Sequence, residues 1–237
     1  MKSTIVPVNN VIRLSVAGNE LMNRPLNTPG LGLVYGQPGL GKTTAVTWYV
    51  NQVNGVYVRA MRCCTPLSLL KDICEELELP TPRSSRDAIR AITLEMAEKN
   101  RPLFIDEADY LMGRADLVET VRDIHDVSTV PVILIGMKDI AKKLKSYPQF
   151  ASRVMKWIEF GFCTFEDARQ IADDMCDGFR VADDLLLKLL TDANKEIRRI
   201  VVGLYQLEKT AKTKGLEELT CRDFDGQFFL GHKAQKA

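Results

Sequence analysis

The stretch "LGLVYGQPGLGKTTAVTWYV", residues 31–50, limits the folds open to this chain more than any other. An apolar run ends in a glycine-rich loop, and the loop runs straight into a helical pattern. From Gly36 to Thr43 the loop fits G-x-x-x-x-G-K-[ST]. In that strand–loop–helix setting, glycines let backbone N–H groups wrap a phosphate chain at a helix N-terminus. The candidate nucleotide-binding residues are Gly36, Gln37, Pro38, Gly39, Leu40, Gly41, Lys42, Thr43 and Thr44. Lys42 is placed to reach the β- and γ-phosphates and Thr43 to hold Mg²⁺, so ATP with Mg²⁺ is the expected ligand. The plain alternative is a chance turn, and the strand and helix on either side argue against it.

The rest of the chain continues the alternation. Apolar runs at residues 31–35, 55–60, 102–106, 130–136 and 156–161 read as strands. Short continuous apolar runs flanked by Gly, Pro or charge are what a parallel sheet covered on both faces requires. Amphipathic stretches separate them. "PLSLLKDICEELEL" places Pro66 in a first turn and sets Leu69, Leu70, Ile73 and Leu77 in a stripe. The predicted class is α/β: a five-stranded parallel sheet flanked by helices and built from right-handed crossovers. After Gly161 the strands stop. "TFED" at 164–167 is a capping box, and helices are expected near 165–177, 182–192 and 195–213, with a short fourth after Thr220 and "FDGQFFLG" packing late. The expected domains are an arm over 1–28 with a helix near 10–22, a nucleotide-binding core over 29–162, and a small all-α lid over 163–237.

Composition sets the setting. Lys+Arg 32 against Asp+Glu 31 excludes a uniformly basic coat and leaves room for local basic patches. The six cysteines lack C-x-x-C spacing and only two histidines accompany them, which argues against zinc and fits a reducing compartment. No stretch reaches the ~20 apolar residues of a membrane span. A cytoplasmic protein of a bacterial cell or phage-infected host, with no membrane partner, is the expectation.

"PLFIDEAD" is the second chemical element. Four apolar residues lead to Asp106 and Glu107 at a strand's C-terminal end, where open α/β sheets hold ligands. Asp106 is the second candidate Mg²⁺ residue beside Thr43, and Glu107 is the candidate that polarises the attacking water. An ordinary strand followed by an acidic helix start explains this segment alone but not its pairing with the phosphate loop. The "GVYVRA" run lies between the two in sequence, an arrangement usual for P-loop proteins with a glutamate base and unlike simple nucleotide kinases or small GTPases.

Phosphate loop, D-E strand, five strands and helical lid together resemble the AAA+ ATPases. The resemblance implies two further roles. In "FASRVMKWIEF", Arg153 stands just before the fifth strand, where the family projects an arginine finger into a neighbour's site. In "KEIRRIVVGL", Arg198 stands at the second-sensor position, with Arg199 beside it. A lone arginine is by default a solvated charge; the context favours function for both. One element departs from the family pattern. The fourth strand, "VILIGMKDI", puts Met137 where a polar first sensor is expected, followed by Lys138 and Asp139 as possible substitutes. A thioether orients water poorly, so slow or partner-dependent hydrolysis is expected.

The motifs and their spacing resemble more closely the target-selecting ATPases of phage Mu-type transposition, over residues 5–215. That resemblance implies ATP-dependent self-assembly as a helical filament or ring on double-stranded DNA, without strong sequence preference. It also implies delivery of that DNA to a transposase that stimulates hydrolysis. The helix-turn-helix domain that precedes the ATPase in that family is not expected within residues 1–28. By resemblance, DNA contacts fall on "YVRAMRCCTPLSLLKD" and "TPRSSRDAIR", with Arg59, Arg62, Thr65, Lys71, Thr81, Arg83, Ser84 and Arg86 supplying charge and hydroxyl donors to phosphates. The same residues also read as loop charges and helix caps, Ser84 or Ser85 above all. "KKLK" and "KTAKTK" read as solvated helix faces. Two other classes stay open: a helicase-loader or clamp-loader-like ATPase, and an ATP-binding switch with negligible turnover.

Overall fold

The computed structural model describes every residue except Ser3, Leu26, Asp225 and 230–237. A five-stranded parallel sheet carries β1 (Leu31–Gly36), β2 (Val56–Arg59), β3 (Leu103–Asp106), β4 (Val132–Met137) and β5 (Val154–Glu159), in the order β2-β3-β4-β1-β5. β3 is buried along its whole length, and β4 at all but Met137. Their unbroken apolar runs therefore reflect cover on both faces. β5 lies at an edge and alternates, leaving Met155 and Trp157 partly exposed. The sequence placed β2 between the loop strand and the acidic strand in chain order. In the sheet the strand between them is β4, and β2 is the opposite edge.

The chain divides into two units. One contains Arg13–Gln37 and Lys42–Phe160, hence the sheet. The other contains Met1–Ile12, Pro38–Gly41 and the residues from Gly161 on. Helix α1 (Asn9–Met22) is shared between them.

In the sheet unit the crossovers are α2 (Lys42–Gln52), α3 (Pro66–Glu76), α4 (Ser85–Lys99) and α5 (Ala115–Ser128), with short helices α6 (Ile140–Leu144) and α7 (Pro148–Ala151) before β5. The predicted stripe of α3 is buried at Leu69, Leu70 and Ile73, each worth roughly 1.5–3 kcal/mol removed from water. Thr65 and Ser68 close a capping box at its start, with Pro66 in the first turn. Ser84 caps α4, and Asn100 ends that helix in the left-handed region.

In the other unit α8 (Phe165–Met175), α9 (Asp183–Asp192) and α10 (Ile197–Lys214) pack through Ala168, Ile171, Leu185, Leu189, Ile200, Leu204 and Leu207. The predicted capping box forms: the Asp167 N–H donates to Thr164 Oγ1 and the Thr164 N–H to Asp167 Oδ2, both 3.1 Å. This unit also holds a two-stranded parallel pairing, β6 (Arg180–Val181) with β7 (Glu218–Leu219), that the sequence reading of an all-helical segment did not contain. The short helix expected after Thr220 is absent among the described residues; a turn takes its place, followed by stacked Phe224 and Phe228, 4.4 Å apart. Leu230 and Gly231, the end of "FDGQFFLG", lie outside the described residues.

Candidate nucleotide-binding site

The loop after β1 has the backbone that its glycines predict. Gly39 and Gly41 sit at φ +80° and +82°, in the left-handed region. A side chain at Gly39 would also meet the Glu196 carboxylate, 2.7 Å from the position of a Cβ. The Gly39 carbonyl accepts a hydrogen bond from the Arg198 N–H at 3.0 Å. Arg198 thus lies in the first turn of α10 with its backbone on the loop tip. Its neighbour Arg199 lies over the Phe229 ring, 4.4 Å from the centroid.

Lys42 opens α2, and its ammonium donates to the carbonyls of Gly36 and Gln37, each at 2.8 Å. Next to it, Thr43 Oγ1 donates to Asp106 Oδ2 at 2.9 Å. The two candidate Mg²⁺ residues, 63 positions apart in sequence, are therefore in direct contact. Hydroxyl and carboxylate oxygens are the hard donors Mg²⁺ accepts alongside phosphate oxygens, so this pair fits the ion. The glycine loop and Lys42 fit the phosphates it would accompany.

Asp106 is 4% exposed and fully engaged. Its Oδ2 also accepts from the Tyr57 hydroxyl at 2.8 Å, and its Oδ1 from the Glu107 N–H at 2.8 Å. Burial raises the Tyr57 pKa, and the hydrogen bond to Asp106 raises it further, so this hydroxyl stays a donor. Sequence reading missed Tyr57. The available signal was its position two residues before Arg59, which places both on one face of β2.

Glu107 takes up a left-handed backbone, φ 53° and ψ 35°, that turns the chain sharply after the buried carboxylate. Its Oε1 pairs with Arg59 Nη2 at 3.1 Å. Register explains the meeting, since Arg59 stands opposite Asp106 in the β2–β3 ladder. The Arg59 side chain is 67% exposed.

The other DNA candidates are exposed as well. Arg62 and Thr65 flank the start of α3, with Lys71 further along it. Thr81, Arg83, Ser84 and Arg86 flank the start of α4. Two of the hydroxyls have structural duties: Thr65 and Ser84 each accept the N–H three residues on, at 3.2 Å.

Arg153 is not at its own chain's loop. Its carbonyl accepts from the Leu31 N–H, at the opposite end of β1 from Gly36. The two residues expected as substitutes for Met137 have other partners. Lys138 pairs with Glu159 at 3.7 Å, and Asp139 with Lys142. The polar group at the tip of β4 is Asp109, which sequence reading passed over; it accepts the Met137 N–H at 2.6 Å.

A family model described as an AAA domain matches residues 25–144. The chain is 25% identical over 155 residues to the ATP-dependent target DNA activator B of Escherichia phage Mu, covering 62% of this chain and 49% of that protein. It therefore spans about half the length of that relative. It is 28% identical over 213 residues to a potential ATP-binding protein of Staphylococcus aureus, covering 75% of this chain and 76% of that one. Among solved structures, the Aeropyrum pernix ORC2 protein in its ADPNP–ADP complexes superposes with a TM-score of 0.73. At 17% identity, over 94% of this chain and 68% of that one, it shows a shared fold.

Proposed function

The chain belongs to the AAA family, and from that premise we propose that it is a DNA-responsive ATPase that assembles on duplex DNA and delivers it to, or regulates, a transposase. The observation that carries the reading is the Arg59–Glu107 ion pair. Arg59, a member of the exposed set suited to phosphate contacts, is paired with the carboxylate that would polarise water. A DNA phosphate near Arg59 competes with Glu107 for the guanidinium and frees the carboxylate. Similarity to a protein named an ATP-dependent target DNA activator supports the DNA role.

In this reading Lys42 would turn from its two loop carbonyls to the β- and γ-phosphates of bound ATP, and Thr43 and Asp106 would hold Mg²⁺. Bound Mg²⁺–ATP supplies the scissile phosphate bond and the counter-charge on it. Tyr57 and the Glu107 N–H hold the Asp106 carboxylate in a fixed orientation. Glu107 accepts a proton from water once released from Arg59. Arg198 brings positive charge from the start of α10, and Arg153 from a neighbouring subunit.

Imaging with a slowly hydrolysed ATP analogue and duplex DNA tests the proposal. Filaments or rings are expected with the wild type and none with Lys42→Ala; a wild type that stays monomeric under these conditions refutes it. Arg59→Ala should raise phosphate release without DNA and flatten its stimulation by DNA, and Glu107→Gln should abolish both. Negligible release by the wild type with and without DNA would favour the ATP-switch reading, which Met137 at the β4 tip supports.

A further inference from the structure

The ladder between β3 and β4 runs from Leu103–Val132 to Ile105–Leu134 and then stops. Beyond it β3 turns away at Glu107, while β4 continues three residues to Met137, which stands opposite Gly36, the first residue of the phosphate loop. Asp109 bridges the two strand tips here. Its Oδ2 accepts the Met137 N–H at 2.6 Å, and its Oδ1 lies 3.7 Å from Lys143 Nζ on α6. The side chain is 17% exposed. Gly136 makes room for it, since a Cβ there would sit 2.6 Å from Asp109 Oδ2 and 2.6 Å from Ile140 Cδ1.

We propose that Asp109 is a positioning residue for ATP hydrolysis: its carboxylate pins the Asp106–Glu107 turn to the tip of β4, at the level of the phosphate loop. The inference rests on the ATPase reading above. Asp109 lies in the three-residue helical turn Ala108–Tyr110 that directly follows Glu107, so a displacement of Asp109 is passed directly to Glu107. Misplacement of a reacting group by about 1 Å costs up to ~10²-fold in rate. It also accounts for a methionine at the end of β4. The polar contact at this tip comes from the neighbouring strand's turn and uses the Met137 backbone, so the side chain at 137 is not needed for it.

The test is DNA-stimulated phosphate release by the full chain, followed across ATP concentration, with melting temperature measured on the same samples. Asp109→Ala should lower turnover at saturating ATP by roughly 10- to 100-fold, with half-saturation within about twofold of wild type. Asp109→Asn keeps an acceptor for the Met137 N–H and should restore most of the rate. Gly136→Ala displaces the carboxylate and should reproduce the loss, and it carries the test should Asp109→Ala not fold. Wild-type turnover in Asp109→Ala or Gly136→Ala overturns the proposal, as does a loss that Asn does not rescue or that follows melting temperature. No phosphate release by the wild type sinks the ATPase reading itself and this proposal with it.

Discussion

Arg153 forms a bidentate ion pair with Asp126, its Nε and Nη2 each 2.8 Å from a carboxylate oxygen. Its Nη1 also donates to the Gln149 carbonyl at 2.6 Å. The pair lies at the start of β1, whose six residues separate it from Gly36 by roughly 16 Å. A guanidinium there has no route to its own loop. The pair is about one-third exposed, and ion pairs of that kind contribute about 0–1 kcal/mol, so a phosphate can displace Asp126 cheaply.

Arg153→Ala is therefore expected to bind ATP normally and to lose roughly 10³-fold of assembly-stimulated turnover. Mixing it with Lys42→Ala should recover activity. The first variant then brings an intact loop and the second an intact arginine to one interface. A mixture as inactive as either parent rules out action across an interface. Asp126→Ala should reach full turnover at lower protein concentration.

The two roles read into the 81–86 segment separate experimentally. Arg83→Ala is expected to weaken duplex binding alike for all sequences and to reduce the slope of log affinity against log salt by about 1. Ser84→Ala should cost about 1 kcal/mol of stability through the lost cap of α4. Its salt slope should stay unchanged. Titrations at several salt concentrations, beside chemical denaturation, distinguish a phosphate contact from a cap in each case.

His125 ties three segments together at the loop-distal end of the sheet. Its Nε2 accepts the Gly30 N–H at 3.3 Å, so the proton sits on Nδ1, which donates to the Val130 carbonyl at 2.9 Å. Burial lowers its pKa. The Val130 carbonyl opposes this, Arg24 and Arg153 reinforce it, and Asp126 opposes it. A histidine held neutral in the fold contributes stability that is complete above its unfolded value of about 6.5. That contribution is lost as pH falls through the lower folded value. Melting temperature should drop between pH 7 and pH 5, and His125→Gln should flatten that part of the profile. An unchanged slope would show that other groups set it.

The nucleotide loop was legible because its chemistry is contiguous: nine residues between a strand and a helix carry both the glycine geometry and the lysine. Asp106 and Glu107 were legible because an apolar run ending in two carboxylates is costly unless something uses them. Asp109 and Tyr57 were not, since their partners lie 28 and 49 residues away and only the sheet order brings them together. That order is itself invisible to periodicity. Apolar runs announce β4 and β1 as strands but do not say that they pair. β6 and β7 are two residues each, too short for any alternation to register. Thr65 and Ser84 read equally well as phosphate donors and as caps. The folded chain assigns them to helix ends without removing them from the surface.

The separation of Arg153 from Gly36 along β1 has a consequence for counting. A protomer that offers a loop at one end of its sheet and an arginine at the other can satisfy only one neighbour with each. A two-fold dimer could complete both of its sites only by bringing both ends of the sheet to one face. If Arg153 completes a neighbour's site as proposed, growth would be head to tail and would yield either a closed ring or an open helix. In an open helix one terminal loop always lacks its arginine, so complete sites number one fewer than subunits. Long assemblies would then hydrolyse at nearly full rate per subunit, whereas short ones would carry a fixed deficit from that single end.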